Sequence, residues 1–128
     1  CELTMKPQSA KAKGRTLQQW ICKKISEFTG FPCGKDCPIE SRPMGQSGVD
    51  VRLEEDVLKV LPISVESKNQ EKWSLLTWIE QAKKNRKPGT YWMLVVKKNR
   101  IKPIIIMDAE EFFELLKYVE DKHGAIKS

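Results

Sequence analysis

The chain predicts a single α/β (α+β) domain with one sheet and flanking helices. Three observations carry the prediction. Apolar residues recur at helical spacing near both ends, strand-like runs and a hairpin signature lie between, and 128 residues suffice for one core but not two.

Residues 1–13 are polar and basic, with little apolar content, and are expected to form a flexible arm ahead of a domain over 14–128. From Arg15 a helical period sets in, with Leu17, Ile21, Ile25 and Phe28 on one face, and Gly30 followed by Pro32 closes it. Residues 31–47, rich in proline and glycine, predict an ordered loop. Val49, Val51 and Leu53 alternate with Asp50 and Arg52, a strand pattern broken at Glu54-Glu55-Asp56. Leu58 to Val65 is strand-like with an interruption at Pro62, which predicts a reversal near residue 58. A second helix is expected over 70–85, with Leu75, Leu76, Ile79 and Ala82 as its buried stripe. Tyr91–Val96 and Lys102–Met107 flank the Lys98-Asn99-Arg100 turn as a hairpin. Asp108 and Glu111 match a capping box, opening a last amphipathic helix through Phe112, Phe113, Leu115, Leu116 and Val119. No internal repeat is evident.

Hydrophobic residues at 40% and charged residues at 31% exclude a disordered tail. The longest uncharged apolar run, Pro103–Met107, is far too short to span a bilayer. The first residues show no hydrophobic leader, so a cytoplasmic protein is expected. The net charge of +6 concentrates in Lys6–Lys24, Lys83–Lys87 and Lys97–Lys102. That distribution favours a polyanionic partner, nucleic acid or an acidic membrane surface, over simple solubility charge. Of the four cysteines, Cys33 and Cys37 are one residue too far apart for a zinc knuckle and no second pair exists. Free thiols are expected, with Cys22 on an apolar helix face; a Cys33–Cys37 redox pair is the alternative.

The chemistry-bearing residues are Asp50, Glu66 and Lys68. Residues two apart on a strand share a face, so Glu66 and Lys68 project together. Asp50 falls opposite Glu66 in an antiparallel pair that reverses near residue 58. Two carboxylates close together repel, and a hard divalent cation relieves the repulsion. Mg²⁺, for which Mn²⁺ substitutes, would take Asp50, Glu66 and the Ser67 carbonyl, leaving Lys68 to hold the attacking water or offset charge on a phosphoryl group. The alternative is an ordinary cross-strand salt bridge on a solvated face.

Gly48-Val49-Asp50, about fifteen residues, then Val65-Glu66-Ser67-Lys68 resembles the PD-(D/E)xK nuclease signature, with Val49 where proline often stands. Lys13-Gly14-Arg15-Thr16-Leu17-Gln18 resembles the opening helix of the Holliday-junction resolvases of that superfamily, and Arg42 with Gly45-Gln46-Ser47-Gly48 resembles their approach to the metal. The resemblance covers roughly residues 13–107. It implies a restriction-endonuclease-like domain with a central mixed sheet of four to five strands. It further implies a Mg²⁺-dependent endonuclease acting on branched DNA in recombination or repair, and, because two cuts are needed, a homodimer. Small domains of this kind are frequent in bacteriophages, which would place the protein in the host cytoplasm. The family's first-helix acid falls here at Gln18, a poor Mg²⁺ ligand, so one metal with Gln18 orienting water is expected. Glu40 could supply a replacement carboxylate, Ser47 stands in the approach, and Gln81 occupies a helix position where relatives place a polar residue near the site. Lys13, Arg15, Arg42, Lys83, Lys97 and Lys98 are candidate DNA contacts. Trp73, Trp78 and Trp92 are candidates either for stacking on bases or for core packing. His123 is expected to have no catalytic part. The competing readings are a less selective nuclease of the same fold (a nicking enzyme, a single-strand exonuclease, or a repair or restriction subunit) and a non-catalytic DNA-binding module.

Overall fold

The computed structural model describes residues 10–42 and 48–122. Helix α1 (Ala10–Thr29) buries Leu17, Gln18, Ile21, Cys22 and Ile25, the face set by the 3.6-residue period. Gly30 ends it at φ 84°, where its N–H bonds Ser26 O at 2.8 Å, a left-handed closure suited to glycine. The helix starts before Gly14, so Lys11 and Lys13, expected in a flexible arm, are helical; residues 1–9 lie outside the described residues.

Strands β1 (Ile39–Ser41) and β2 (Val51–Leu53) pair antiparallel, Glu40 opposite Arg52. Residues 55–60 form helix α2 (Glu55–Val60), not the start of a strand from Leu58. Short apolar runs are ambiguous between helix and strand, and Glu55 and Asp56 sit favourably in the first helical turn. Val57, fully buried, anchors this helix to the core.

Strand β3 (Ile63–Asn69) runs parallel to β4 (Tyr91–Lys97) through the crossover helix α3 (Leu75–Asn85), and β5 (Ile104–Ile106) returns antiparallel along β4. The predicted hairpin is present; Arg100, at φ 71°, stands in its turn. The order β3-β4-β5 makes a mixed three-stranded sheet, and β1-β2 stands as a separate pair. The structure is thus mixed α and β, as expected, but the five strands of the described residues divide into two small sheets instead of one. β2 finds its ladder with β1, from a segment read as loop. Its hydrogen bond to β3 comes from the adjoining Asp50, whose N–H bonds Val65 O at 2.9 Å.

The three-stranded sheet has a core on each face. Val65 and Val95 pack with Leu17, Ile21, Val57 and Leu115. Leu94 and Val96 pack with Trp78, Trp92 and Ala82. On α3 the inner face is Trp78 and Ala82, and Leu76, expected in the stripe, is 82% exposed. Helix α4 (Ala109–Lys122) buries Leu115 and turns Phe112, Phe113 and Leu116 outward. Asp108, the expected N-cap, accepts the Trp92 indole N–H on Oδ2 at 3.3 Å, and Glu111 Oε1 is buried without a hydrogen-bond partner. Among the described residues no helix is long and apolar enough to cross a membrane.

Candidate active site

Residues 63–66 of β3 are buried and 67–69 emerge at its end, so the strand delivers Glu66, Ser67 and Lys68 where the sheet opens to a cleft. Alternation splits the trio. Glu66 and Lys68 stand in register with Leu94 and Val96, on the α3 face, whereas Ser67 stands in register with Val95, on the α1 face. Asp50 arrives from the segment before β2 and is held through both its backbone and its carboxylate. Its N–H holds Val65 O, and its Oδ2 accepts the Ser67 N–H at 2.7 Å and the Ser67 hydroxyl at 3.3 Å. Glu66 is held by α3, whose Asn85 Nδ2 donates to Glu66 Oε1 at 3.3 Å. Lys68 Nζ lies 4.0 Å from Glu66 Oε2 and 5.9 Å from the centroid of the Trp78 ring. Trp78 therefore offers the ammonium an aromatic face.

An open cleft of about 850 Å³ joins these groups, with Gln18 of α1, Gln81 and Asn85 of α3, and Asn69 at the end of β3 on its walls. Gly14 and Gly48 border it as well. The predicted convergence of Asp50, Glu66 and Lys68 is present, although no two-stranded hairpin makes it. The Glu66–Lys68 ion pair of the alternative reading is present at 4.0 Å, but with Glu66 only 6% exposed it does not lie on a solvated face.

Burial pushes the Asp50 carboxyl up from its ordinary range; the Ser67 N–H, Lys68, the Ser67 hydroxyl and Arg42 act against that shift. Glu66 is raised first by burial and then by repulsion from Asp50, with Asn85 and Lys68 opposing. Both carboxyls therefore carry negative charge at a cost that the surrounding donors do not fully offset. A hard cation fits such a pair: the donors are oxygens, and among the described residues neither thiol nor imidazole lines the cleft. Among the described residues no group of three His, Cys, Asp or Glu side chains comes together, so Asp50 and Glu66 would need backbone or water oxygens to complete a coordination shell.

Other expected residues divide. Gln18, buried on α1, and Gln81 both line the cleft. Glu40 does not: its Oε1 accepts from Arg52 Nη2 at 2.8 Å, its Oε2 accepts the Asp36 N–H at 3.1 Å, and it lines a different hollow beside Cys22 and Cys33. Pairing with Arg52 across the β1–β2 ladder removes it from the role of replacement ligand. Ser47 and His123 lie outside the described residues. Arg42 is tied to Asp50 through its backbone N–H at 2.9 Å, and its charge favours the Asp50 carboxylate. Lys13 O accepts from Asn69 Nδ2 at 3.1 Å and its Nζ lies 4.0 Å from Glu71, near the cleft wall. Arg15 is exposed on α1. Lys83 lies over Trp92 and Lys98 over Trp73, at 5.8 and 5.5 Å, and Lys97 Nζ donates to Lys98 O.

Trp78 and Trp92 are 6% and 3% exposed, so packing, not stacking on bases, is their use. Trp73 is half-buried, its indole N–H given to Gln70 O at 2.9 Å. Asn85 and Asn69 escape a reading by sequence alone. Asn85 lies one helical turn beyond Gln81, a spacing that would have pointed to it. Trp20, 42% exposed on α1 with Lys24 over its ring, also gave no signal. Cys22, Cys33 and Cys37 are free thiols, as expected, and burial pushes Cys22 up to about 12, with Cys33 and Glu40 adding. Comparison with protein-family models, with curated proteins and with solved structures finds no match for this chain.

Proposed function

We propose that the chain is a Mg²⁺-dependent DNA endonuclease, with branched DNA as its substrate. The observation that carries the reading is the meeting of Asp50, from the segment before β2, with Glu66 and Lys68 of β3 in one open cleft. Asp50 and Glu66 would hold the metal, with the Ser67 carbonyl as a backbone donor, and Mn²⁺ suits the same oxygen set. When bound, Mg²⁺ supplies Lewis-acid polarisation of a phosphate oxygen and a more acidic water. The remaining work falls to the chain. Ser67 and Asn85 fix the two carboxylates, so little reorganisation is required when substrate arrives. Lys68 presents a cation to the charge that builds on the phosphoryl group. The Gln18 and Gln81 amides can orient a water in line with the scissile bond, and the departing 3′ oxygen leaves a 5′ phosphate on the other product.

DNA would approach along the basic rim formed by Lys11, Lys13, Arg15 and Arg42, with Lys83, Lys97 and Lys98 farther out. Resolution of a branch requires two matched cuts, hence a homodimer. Such a substrate belongs to recombination or repair in the cytoplasm, the host's if the chain is phage-encoded. The test is a panel of labelled duplex, single-stranded, flap and four-way substrates with Mg²⁺ and Mn²⁺. Cleavage should vanish in Asp50→Asn and Lys68→Ala while DNA affinity persists. Absence of cutting by the wild type on every substrate, with DNA binding retained, would leave a binding module instead; equal cutting of linear and branched duplex would leave a general nuclease.

A further inference from the structure

The two edges of the three-stranded sheet differ. Along β3, the Asp50 N–H already occupies Val65 O. Along β5, no strand among the described residues pairs on the outer side of Ile104–Ile106. Edge strands usually carry charge or a bulge that discourages further pairing. Here the strand itself is three isoleucines, with Ile104 45% and Ile105 58% exposed. Immediately after it, α4 turns out Phe112, Phe113 and Leu116, which are 42%, 66% and 50% exposed. Ile105 stands in register with Val95, which shares a core with Leu115 of α4, so the exposed edge and the helix flank the same side of the sheet.

We propose that β5 and the outer face of α4 bind a second copy of this chain across a two-fold axis, with β5 antiparallel to its counterpart about Ile105 and α4 beside α4. A two-fold axis perpendicular to the sheet places both copies of α4 on one face, so the two contacts are compatible. The area is adequate. On the α4 side, Ile105, Phe112, Phe113 and Leu116 present on the order of 400 Å² per copy, and Ile104, on the other face of the paired edge, brings the total to about 1,000 Å² for the pair before any polar rim, close to the lower bound for a stable interface. The patch is as large as the largest usually left open on a monomer.

On α4 the charge argues for a protein partner and against DNA: five carboxylates stand against two lysines, so the helix repels phosphates, while the basic Lys97–Lys102 segment lies ahead of β5. A second copy also answers the charge pattern: Glu110 and Lys117 lie about two turns apart on either side of Phe113, so antiparallel helices can pair each with the other reciprocally. The site is left open, because Glu66 and Lys68 lie on β3, two strands from β5 and about 10 Å away. The surface stands on these observations alone; its use for paired cuts rests on the nuclease reading.

Sedimentation of the full chain at about 50 µM, without DNA or metal, tests the proposal. Twice the 14.8 kDa chain mass is expected. Phe113→Glu and, separately, Ile105→Lys should each raise the dimer dissociation constant at least tenfold, with far-UV circular dichroism unchanged. Asp50→Asn should sediment as wild type, which separates assembly from activity. A monomeric wild type overturns the proposal, whether the face is bare or covered by residues 1–9 or 123–128. So does a dimer that survives both substitutions in folded protein. If the dimer forms as described but no DNA is cut, the nuclease reading fails and the interface stands.

Discussion

Replacing Glu66 by Gln removes one charge from a site that carries it at a cost, while Oε1 remains available to the Asn85 amide. Burial and the neighbouring Asp50 raise the Glu66 carboxyl, so the folded state favours the protonated form. With an acid whose folded value is raised, the stabilising contribution is present below the ordinary carboxylate range and is lost as pH rises to the raised value. In EDTA near neutral pH, Glu66→Gln should therefore melt above the wild type, and the difference should open with rising pH across that window. Metal reverses the order. At free Mg²⁺ about ten times its dissociation constant, binding to the native state alone adds about 1.4 kcal/mol. The unfolding entropy of 128 residues is about 0.27 kcal/mol/K, so the wild-type Tm should rise by about 5 °C. In the variant that increment should fall below about 1 °C, because one of two carboxylate ligands is gone. Thermal melts followed by far-UV circular dichroism, with EDTA and with Mg²⁺, measure all four values. A wild-type Tm indifferent to Mg²⁺ at millimolar concentration, or a variant that melts lower in EDTA, would refute the account of the site.

Trp78→Leu removes the ring beside the Lys68 ammonium and should lower cleavage kcat more than substrate affinity, with Trp78→Phe recovering most of the loss; equal rates in all three proteins would remove Trp78 from the site. Cys33 should react with a maleimide at pH 8 while Cys22 stays unlabelled, since a thiol pushed up to about 12 is about one part in ten thousand thiolate there; peptide mapping decides the order. Leu94→Ala, at a fully buried position in the centre of the sheet, should cost about 2–5 kcal/mol by urea denaturation, and a loss below about 1 kcal/mol would mean that this core is looser than described.

How much of this was legible follows from the range of each interaction. The periodicity of Leu17, Ile21 and Ile25 sets the inner face of α1 and places Gln18 one residue along from Leu17 on the same buried stripe. The Lys98-Asn99-Arg100 turn announces the hairpin because both strands lie beside it in sequence. Local rules fail over 55–60, where the same apolar residues satisfy a helix or a strand. Only burial of Val57 against the core decides for the helix. They fail again for Glu40, because its Arg52 partner depends on a ladder between distant segments.

The sequence by itself determined that Glu66 and Lys68 share one side of a strand, that a carboxylate precedes them at Asp50, and that the chain around them is basic. Those properties are local or compositional. The tertiary structure decided that Asp50 locks onto Ser67, that Asn85 and Gln81 face the cleft while Glu40 turns away, and that Trp78 sits beside Lys68 in a core. Which side chains meet across elements depends on strand order and helix rotation. Those are fixed by burying Val65, Val95, Leu94 and Val96 on the two faces of one sheet, a condition that no single segment contains.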